Sequence, residues 1–133
     1  MLRIYVDAAT KGNPGPSGGG LVVDGENLHE QLHFSLGTCS NHEAEFKILI
    51  IALEWLIEHE YTQTSIFVHS DSKVVVQTID KNYTGNQLFE PYLKKYRELE
   101  AHFSLLILQW VPESKNKGAD NLARQALRKA LKQ

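Results

Sequence analysis

The eighteen residues from His42 to His59, HEAEFKILIIALEWLIEH, are apolar at nearly every turn and contain neither Gly nor Pro. A segment of that length and pattern reads as a helix, and one this apolar must be buried on much of its circumference. It needs a sheet or further helices packed around it, which makes it the central element of a layered, globular fold.

The rest of the chain supplies that cover. Alternation in Leu2 to Val6 predicts a strand, and Gly18 to Val23 and Leu28 to Ser35 predict two more, joined by a turn at Asp24-Gly25-Glu26-Asn27. After the long helix, Ser65 to Ser70 reads as a fourth strand and Ser72 to Ile79 as a short helix. Tyr83 to Gln87 is a turn, Phe89 to Phe103 an amphipathic helix, Leu105 to Val111 a fifth strand and Lys117 to Leu131 a final helix. The order βββαβααβα combines a β-meander of strands 1–3 with crossovers that make strands 4 and 5 parallel. It predicts an α/β fold with a mixed five-stranded sheet and helices on both faces. A length of 133 residues without repeat or linker predicts one domain, 1–133.

On that frame one carboxylate is out of place. At about 100° per residue, Lys47, Glu54, Glu58 and Glu43 lie about 160° to 220° from Glu45, while Leu49, Ala52 and Leu56 lie within about 40° of it. Glu45 therefore sits in the apolar stripe, where an ionised carboxylate is unfavourable unless paired or metal-bound. Glu43 has a plainer role, because Ser40-Asn41-His42-Glu43 matches the capping box S-x-x-E.

Three further carboxylates are ambiguous singly. Asp7 ends the first apolar run, on the face of Arg3 and Tyr5, and opens DAATKGNPGPSGGG, a stretch with five glycines and two prolines. Asp71 closes the fourth strand, where it could cap the next helix. Asp120 flanks the buried stripe of the last helix, where it could complement the helix dipole. Taken together they lie at the ends of two central strands, on the inward face of a covering helix and at the edge of another. Converging carboxylates cannot all stay ionised without cations, and with Cys39 as the lone cysteine the fitting cation is hard and oxygen-seeking, Mg²⁺ or Mn²⁺.

Charge is unevenly spread. The net charge of −2 gives no general argument for a polyanion. Residues 1–66 hold three Lys or Arg against nine Asp or Glu, however, and residues 67–133 hold eleven against seven, so the second half is the one that could face a polyanion or simply carry solvated helix faces. No run approaches the ~20 apolar residues of a membrane span. Met1 leads directly into a strand, and the lone cysteine suits a reducing compartment, so the expected location is cytoplasmic with no membrane partner.

These motifs resemble the type 1 ribonuclease H family over nearly the whole chain. Asp7 followed by Gly12-Asn13-Pro14-Gly15 is similar to the family's first strand and GNPG loop. Ser40-Asn41-His42-Glu43-Ala44-Glu45 is similar to its TNN-x-x-E helix start, Ser70-Asp71-Ser72 to its SDS, and Asn116-Lys117-Gly118-Ala119-Asp120-Asn121-Leu122-Ala123 to its N-x-x-A-D-x-L-A. The resemblance implies a ribonuclease H-like fold and an endonuclease that cuts the RNA strand of RNA–DNA hybrids, leaving 5′-phosphate and 3′-hydroxyl ends. Asp7, Glu45, Asp71 and Asp120 would be catalytic and would hold two Mg²⁺ or Mn²⁺ ions per site, about 3.5 to 4 Å apart. Gly12, Asn13, Gly15, Ser40, Asn41, His42, Ser72 and Asn116 would contact substrate, with RNA selected through 2′-hydroxyls in the minor groove. The partner implied is the hybrid alone, with no obligate protein partner and a monomeric enzyme.

The chain also departs from the family pattern. Asp7-Ala8-Ala9 replaces the usual Asp-Gly-Ser, and His42 the second Asn of TNN. No histidine lies between Leu105 and Asp120, which leaves Glu113 as the nearest substitute for the loop histidine of some members. The segment from Ser72 to His102 looks like members without a basic protrusion, and with Met1 leading into the first strand no N-terminal hybrid-binding domain is expected. These departures keep open a second function, a nucleic-acid-binding or regulatory protein on the same fold with weak or no catalysis. They also leave a third, a nuclease acting on DNA junctions or single strands. Trp55 reads as core. Trp110 reads as packing beneath the loop before the last helix, with stacking on substrate as the alternative.

Overall fold

The computed structural model describes residues 1–132. A β-meander opens the chain: β1 (Leu2–Thr10), β2 (Gly15–Gly25) and β3 (Leu28–Cys39). Then come α1 (Asn41–Glu58), β4 (Ser65–Ser70), α2 (Lys73–Lys81), α3 (Glu90–Glu100), β5 (Leu105–Trp110), a 3₁₀ turn at Glu113–Lys115, and α4 (Lys117–Leu131). The five strands form one sheet in the order β3-β2-β1-β4-β5. The β1–β2 and β2–β3 pairs are antiparallel, and the β1–β4 and β4–β5 pairs are parallel. This is the predicted mixed sheet.

The strand boundaries differ from the sequence expectation in one instructive place. The ladder between β1 and β2 continues past Val6 through Asp7↔Gly20, Ala8↔Gly19 and Ala9↔Gly18 to Thr10↔Ser17. Only residues 11–14 turn between the strands. The glycines lower intrinsic strand propensity, but helices press on both faces of β2 and need the missing side chains. A Cβ at Gly20 would lie 2.1 Å from the Ala119 carbonyl oxygen, and one at Gly18 2.5 Å from Leu127 N, both on α4. A Cβ at Gly19 would meet Ile48 of α1 instead, at 2.7 Å. Alternate residues of β2 thus face opposite helices, with α1 on one side of the sheet and α4 on the other.

The main core lies between the sheet and α1. Ile4, Val6, Leu21, Val23, Ile66 and Val68 pack there against Phe46, Ile48, Leu49, Ala52, Leu53 and Leu56. Helices α2 and α3 extend the same layer through Val75, Ile79, Tyr96 and Leu99, and Phe46 stacks on Tyr92 with ring centroids 5.5 Å apart. Trp55 packs against this core from a half-buried position and stacks on His59. On the far face, Ala119 and Leu122 of α4 pack on Val22 and Tyr5. No helix among the described residues is long and apolar enough to cross a membrane.

Candidate active site

The parallel register of β1 and β4 ends at Val6↔Ser70, so the next residue on each strand, Asp7 and Asp71, emerge side by side at the carboxyl edge of the sheet. Asp71 is not the helix cap that its position allowed. Ser72 takes that role, its hydroxyl accepting from Val75 N at 3.3 Å, which leaves the Asp71 carboxylate free of the helix. Glu45 reaches the same edge from α1, and Asp120 reaches it from the first turn of α4.

All four line one polar cavity of about 200 Å³, together with Ala8, Asn41, Glu113 and Arg124. A larger groove of about 400 Å³ between α1 and α3 is lined by Ile50, Ile51 and Tyr92 and holds no carboxylate. The smaller one gathers five carboxylates, Asp7, Glu45, Asp71, Glu113 and Asp120. The carboxylates ring this cavity rather than close on one point: among the described residues, no three His, Cys, Asp or Glu side chains are arranged as they stand to hold a single ion.

The electrostatics are those of crowded anions. Burial first, then the charges of Asp71 and Asp120, push the Asp7 carboxyl from an ordinary 3.8 up to about 8, against the hydrogen bond from the Ala8 backbone. Burial also raises Glu45, opposed by the Ser72 hydroxyl and His42 and reinforced by Asp71. Asp71 is raised by burial and by Glu113, opposed by a hydrogen bond from Asn116. One oxygen of Glu45, Oε2, is buried without a hydrogen-bond partner. An orphaned carboxylate oxygen, an Asp held protonated near neutrality and an all-oxygen donor set fit a hard divalent cation, which would satisfy the first and ionise the second.

The raised carboxyls predict a pH dependence. A group whose pKa is higher folded than unfolded stabilises the fold while protonated, and that contribution fades as pH rises through the folded value. For Asp7 the stabilisation is complete below its unfolded value of 3.8 and lost by about 8. The cation-free chain should therefore melt at lower temperature at about pH 8 than at about pH 5, and added Mg²⁺ should restore stability at the higher pH. A melting point in chelator that rises over this interval would contradict the assignment of Asp7.

Among the remaining predicted residues, several are engaged within the fold. Asn116, 1% exposed, donates from Nδ2 to the Val6 carbonyl at 2.8 Å, and its amide lies close enough to Asp71 to oppose the rise in that carboxyl's pKa. The bond to Val6 ties the start of α4 to the end of β1. Asn13 Oδ1 accepts the Asn41 amide at 2.9 Å, which fastens the GNPG turn to the start of α1. Gly12 adopts a left-handed φ of +83°, and Gly15 is buried where a Cβ would lie 1.7 Å from the Lys11 carbonyl oxygen. Ser40 caps α1 by accepting from Glu43 N at 3.2 Å, and Glu43 also accepts from the Tyr92 hydroxyl at 3.2 Å. Asn41 and His42 are exposed beside the cavity, with His42 Nδ1 3.9 Å from Glu45 Oε1.

Of two further neighbours, the sequence reading takes Trp110 as packing and misses Arg124. Trp110 is 43% exposed, its indole N–H donates to the Asp71 carbonyl at 3.2 Å, and Lys73 lies over its ring at 5.2 Å. It packs at the edge of the site rather than beneath the loop. Arg124 pairs with Asp120, and only their four-residue spacing could have signalled it.

Known proteins share this arrangement of elements. Residues 5–126 match the reverse transcriptase-like family. Over 129 residues, 97% of this chain and 96% of the relative, the sequence is 60% identical to an Enterococcus faecalis protein named "Putative hydrolase EbsB". The crystal structure of RNase H1 from the halophilic archaeon Halobacterium salinarum is similar with a TM-score of 0.88 at 30% identity, covering 97% of this chain and 98% of that one. LC11-RNase H1 in complex with RNA/DNA hybrid gives 0.90 at 28%, covering 98% and 99%. The chain spans 35% of the length of a Mycobacterium tuberculosis relative that it matches at 30% identity. Sequence and fold agree: the chain belongs to the reverse transcriptase-like family and, within it, to the type 1 ribonucleases H.

Proposed function

We propose that this chain is a metal-dependent endonuclease that hydrolyses the RNA strand of RNA–DNA hybrids and leaves 5′-phosphate and 3′-hydroxyl ends. The observation that carries the proposal is the gathering of Asp7, Glu45, Asp71 and Asp120 around one cavity at the carboxyl edge of β1 and β4. In this reading the four carboxylates hold two divalent ions, Mg²⁺ or Mn²⁺, which when bound supply the positive charge that activates water and stabilises the departing 3′ oxygen.

The protein's own groups do the rest. Asp7 and Asp71, fixed by paired strands, give the site a rigid floor. Asn116 holds the start of α4 against the end of β1 through its bond to Val6, beside Asp71. Glu45 has an unpartnered oxygen to offer a cation or a ribose 2′-hydroxyl, which is the group that distinguishes RNA from DNA. The turn at Gly12, Asn13 and Gly15 brings backbone near the RNA strand. Asn41 and His42 face the DNA strand from the exposed start of α1, beside Ser40. Ser72 and Asn116 then act on substrate through the carboxylates they support. Glu113 lines the cavity and stands in for the absent loop histidine. The chain acts as a single-domain monomer in the cytoplasm.

The test is a cleavage assay of the purified chain with Mg²⁺ or Mn²⁺ on a hybrid and on duplex DNA. Nicking of RNA in the hybrid alone is expected. A second reading, a binding or regulatory protein on this fold, is favoured by His42 in place of asparagine, and hybrid binding without turnover in either metal would select it. Cleavage of substrates that lack RNA would overturn the substrate assignment.

A further inference from the structure

Asp120 differs from its three companions in what it touches. Its Oδ1 accepts from Arg124 Nε at 3.2 Å, and its Oδ2 lies 3.1 Å from the second guanidinium nitrogen, Nη2. Both oxygens are thus engaged by the planar fork that arginine presents to a carboxylate. As an i,i+4 pair with 63% of the arginine side chain exposed, the contact adds little to stability. Its location carries the meaning. Arg124 lines the cavity beside Asp7, Glu45, Asp71, Glu113 and Asp120 and is the one fixed cation among those lining residues.

The oxygens that the fork engages are the ones Asp120 would offer to a divalent ion, so guanidinium and cation compete for the same carboxylate. The fork offsets part of the charge of Asp120, which still bears on Asp7 and Asp71 with the pair in place. We propose that Arg124 is a positioning residue that holds Asp120 in the cation-free site and yields it when divalent ions bind, so that it weakens cation affinity and sets the concentration at which the site fills. This rests on the metal-site reading given above.

The experiment is calorimetric titration of the full chain with Mn²⁺ alone, without nucleic acid, at neutral pH. Removing one positive charge a few ångströms from a divalent ion in water-like surroundings should tighten binding about three- to tenfold. R124Q is therefore expected to bind Mn²⁺ more tightly than wild type by that factor. R124K, which keeps the charge but loses the fork, is expected to fall between them. Saturable wild-type binding that R124Q leaves unchanged or weakens would overturn the role of Arg124 alone. No saturable Mn²⁺ binding by the wild-type chain would overturn the metal-site reading and this inference together.

Discussion

Asp71→Asn is expected to abolish hybrid cleavage, by at least about a thousandfold in kcat, while leaving the fold intact. The asparagine has the shape of the aspartate but presents an N–H₂ group and no charge where a cation needs anionic oxygen. The bond from Asn116 Nδ2 to the Val6 carbonyl is untouched, so the link between α4 and the sheet survives. The same change removes a carboxylate whose ionised form is opposed by burial and by the charges of Glu113 and Asp120. Without divalent ions the variant should therefore be at least as stable as wild type near neutral pH, since like charges are relieved. Loss of turnover with unchanged or raised melting temperature separates chemistry from folding. Full activity in Asp71→Asn would end the four-carboxylate assignment.

The largest effect on stability is expected at a residue without a side chain. Gly20→Ala places a Cβ 2.1 Å from the Ala119 carbonyl oxygen, 2.7 Å from Ala123 N and 2.8 Å from Leu122 Cβ. Two of these atoms are helix backbone, so no rotamer change relieves the overlap and α4 must lift from the sheet. Overpacking of this kind destabilises by about 3 kcal/mol or more, beyond the few tenths recovered from a less flexible unfolded chain. Gly19→Ala is the comparison: its Cβ meets side-chain atoms only, those of the buried Ile48, at 2.7 Å from Cδ1 and 3.1 Å from Cβ, and a smaller loss of about 1 to 2 kcal/mol is expected. Urea denaturation of both variants tests the contrast. Equal, small losses would mean that the seating of α4 on β2 is looser than the glycines imply. Because α4 carries Asp120 and Asn116, Gly20→Ala should also lower activity before it unfolds the chain.

Much of this architecture could be read from periodicity, because the strongest patterns belong to buried elements. The apolar stripe of α1 located both the core and the misplaced Glu45, and α4 runs over Lys117–Leu131 as expected. The ends of β1 and β2 could not be read the same way. Glycine and proline between Gly12 and Pro16 signal a loop locally, yet β1 runs on to Thr10 and β2 already starts at Gly15. Cross-chain contacts were equally hidden: nothing near Asn116 says that its amide will meet the Val6 carbonyl, nor anything near Trp110 that its indole will meet Asp71. Arg124 was readable by spacing, but an Asp–Arg pair on a helix is so common that the spacing draws no notice until the cavity is seen.

The bond from Asn116 to Val6 spans 110 residues of sequence, and the four carboxylates run from Asp7 to Asp120. The proposed site is thus assembled from parts far apart in the sequence. A chain emerging from the ribosome would complete its meander and central helix while still lacking the fourth carboxylate and the amide that aligns it, and domains of this kind fold as units. Docking of α4 on the sheet is therefore the step that couples the fold to the proposed site, since it alone brings Asp120 and the Asn116 amide to the end of β1.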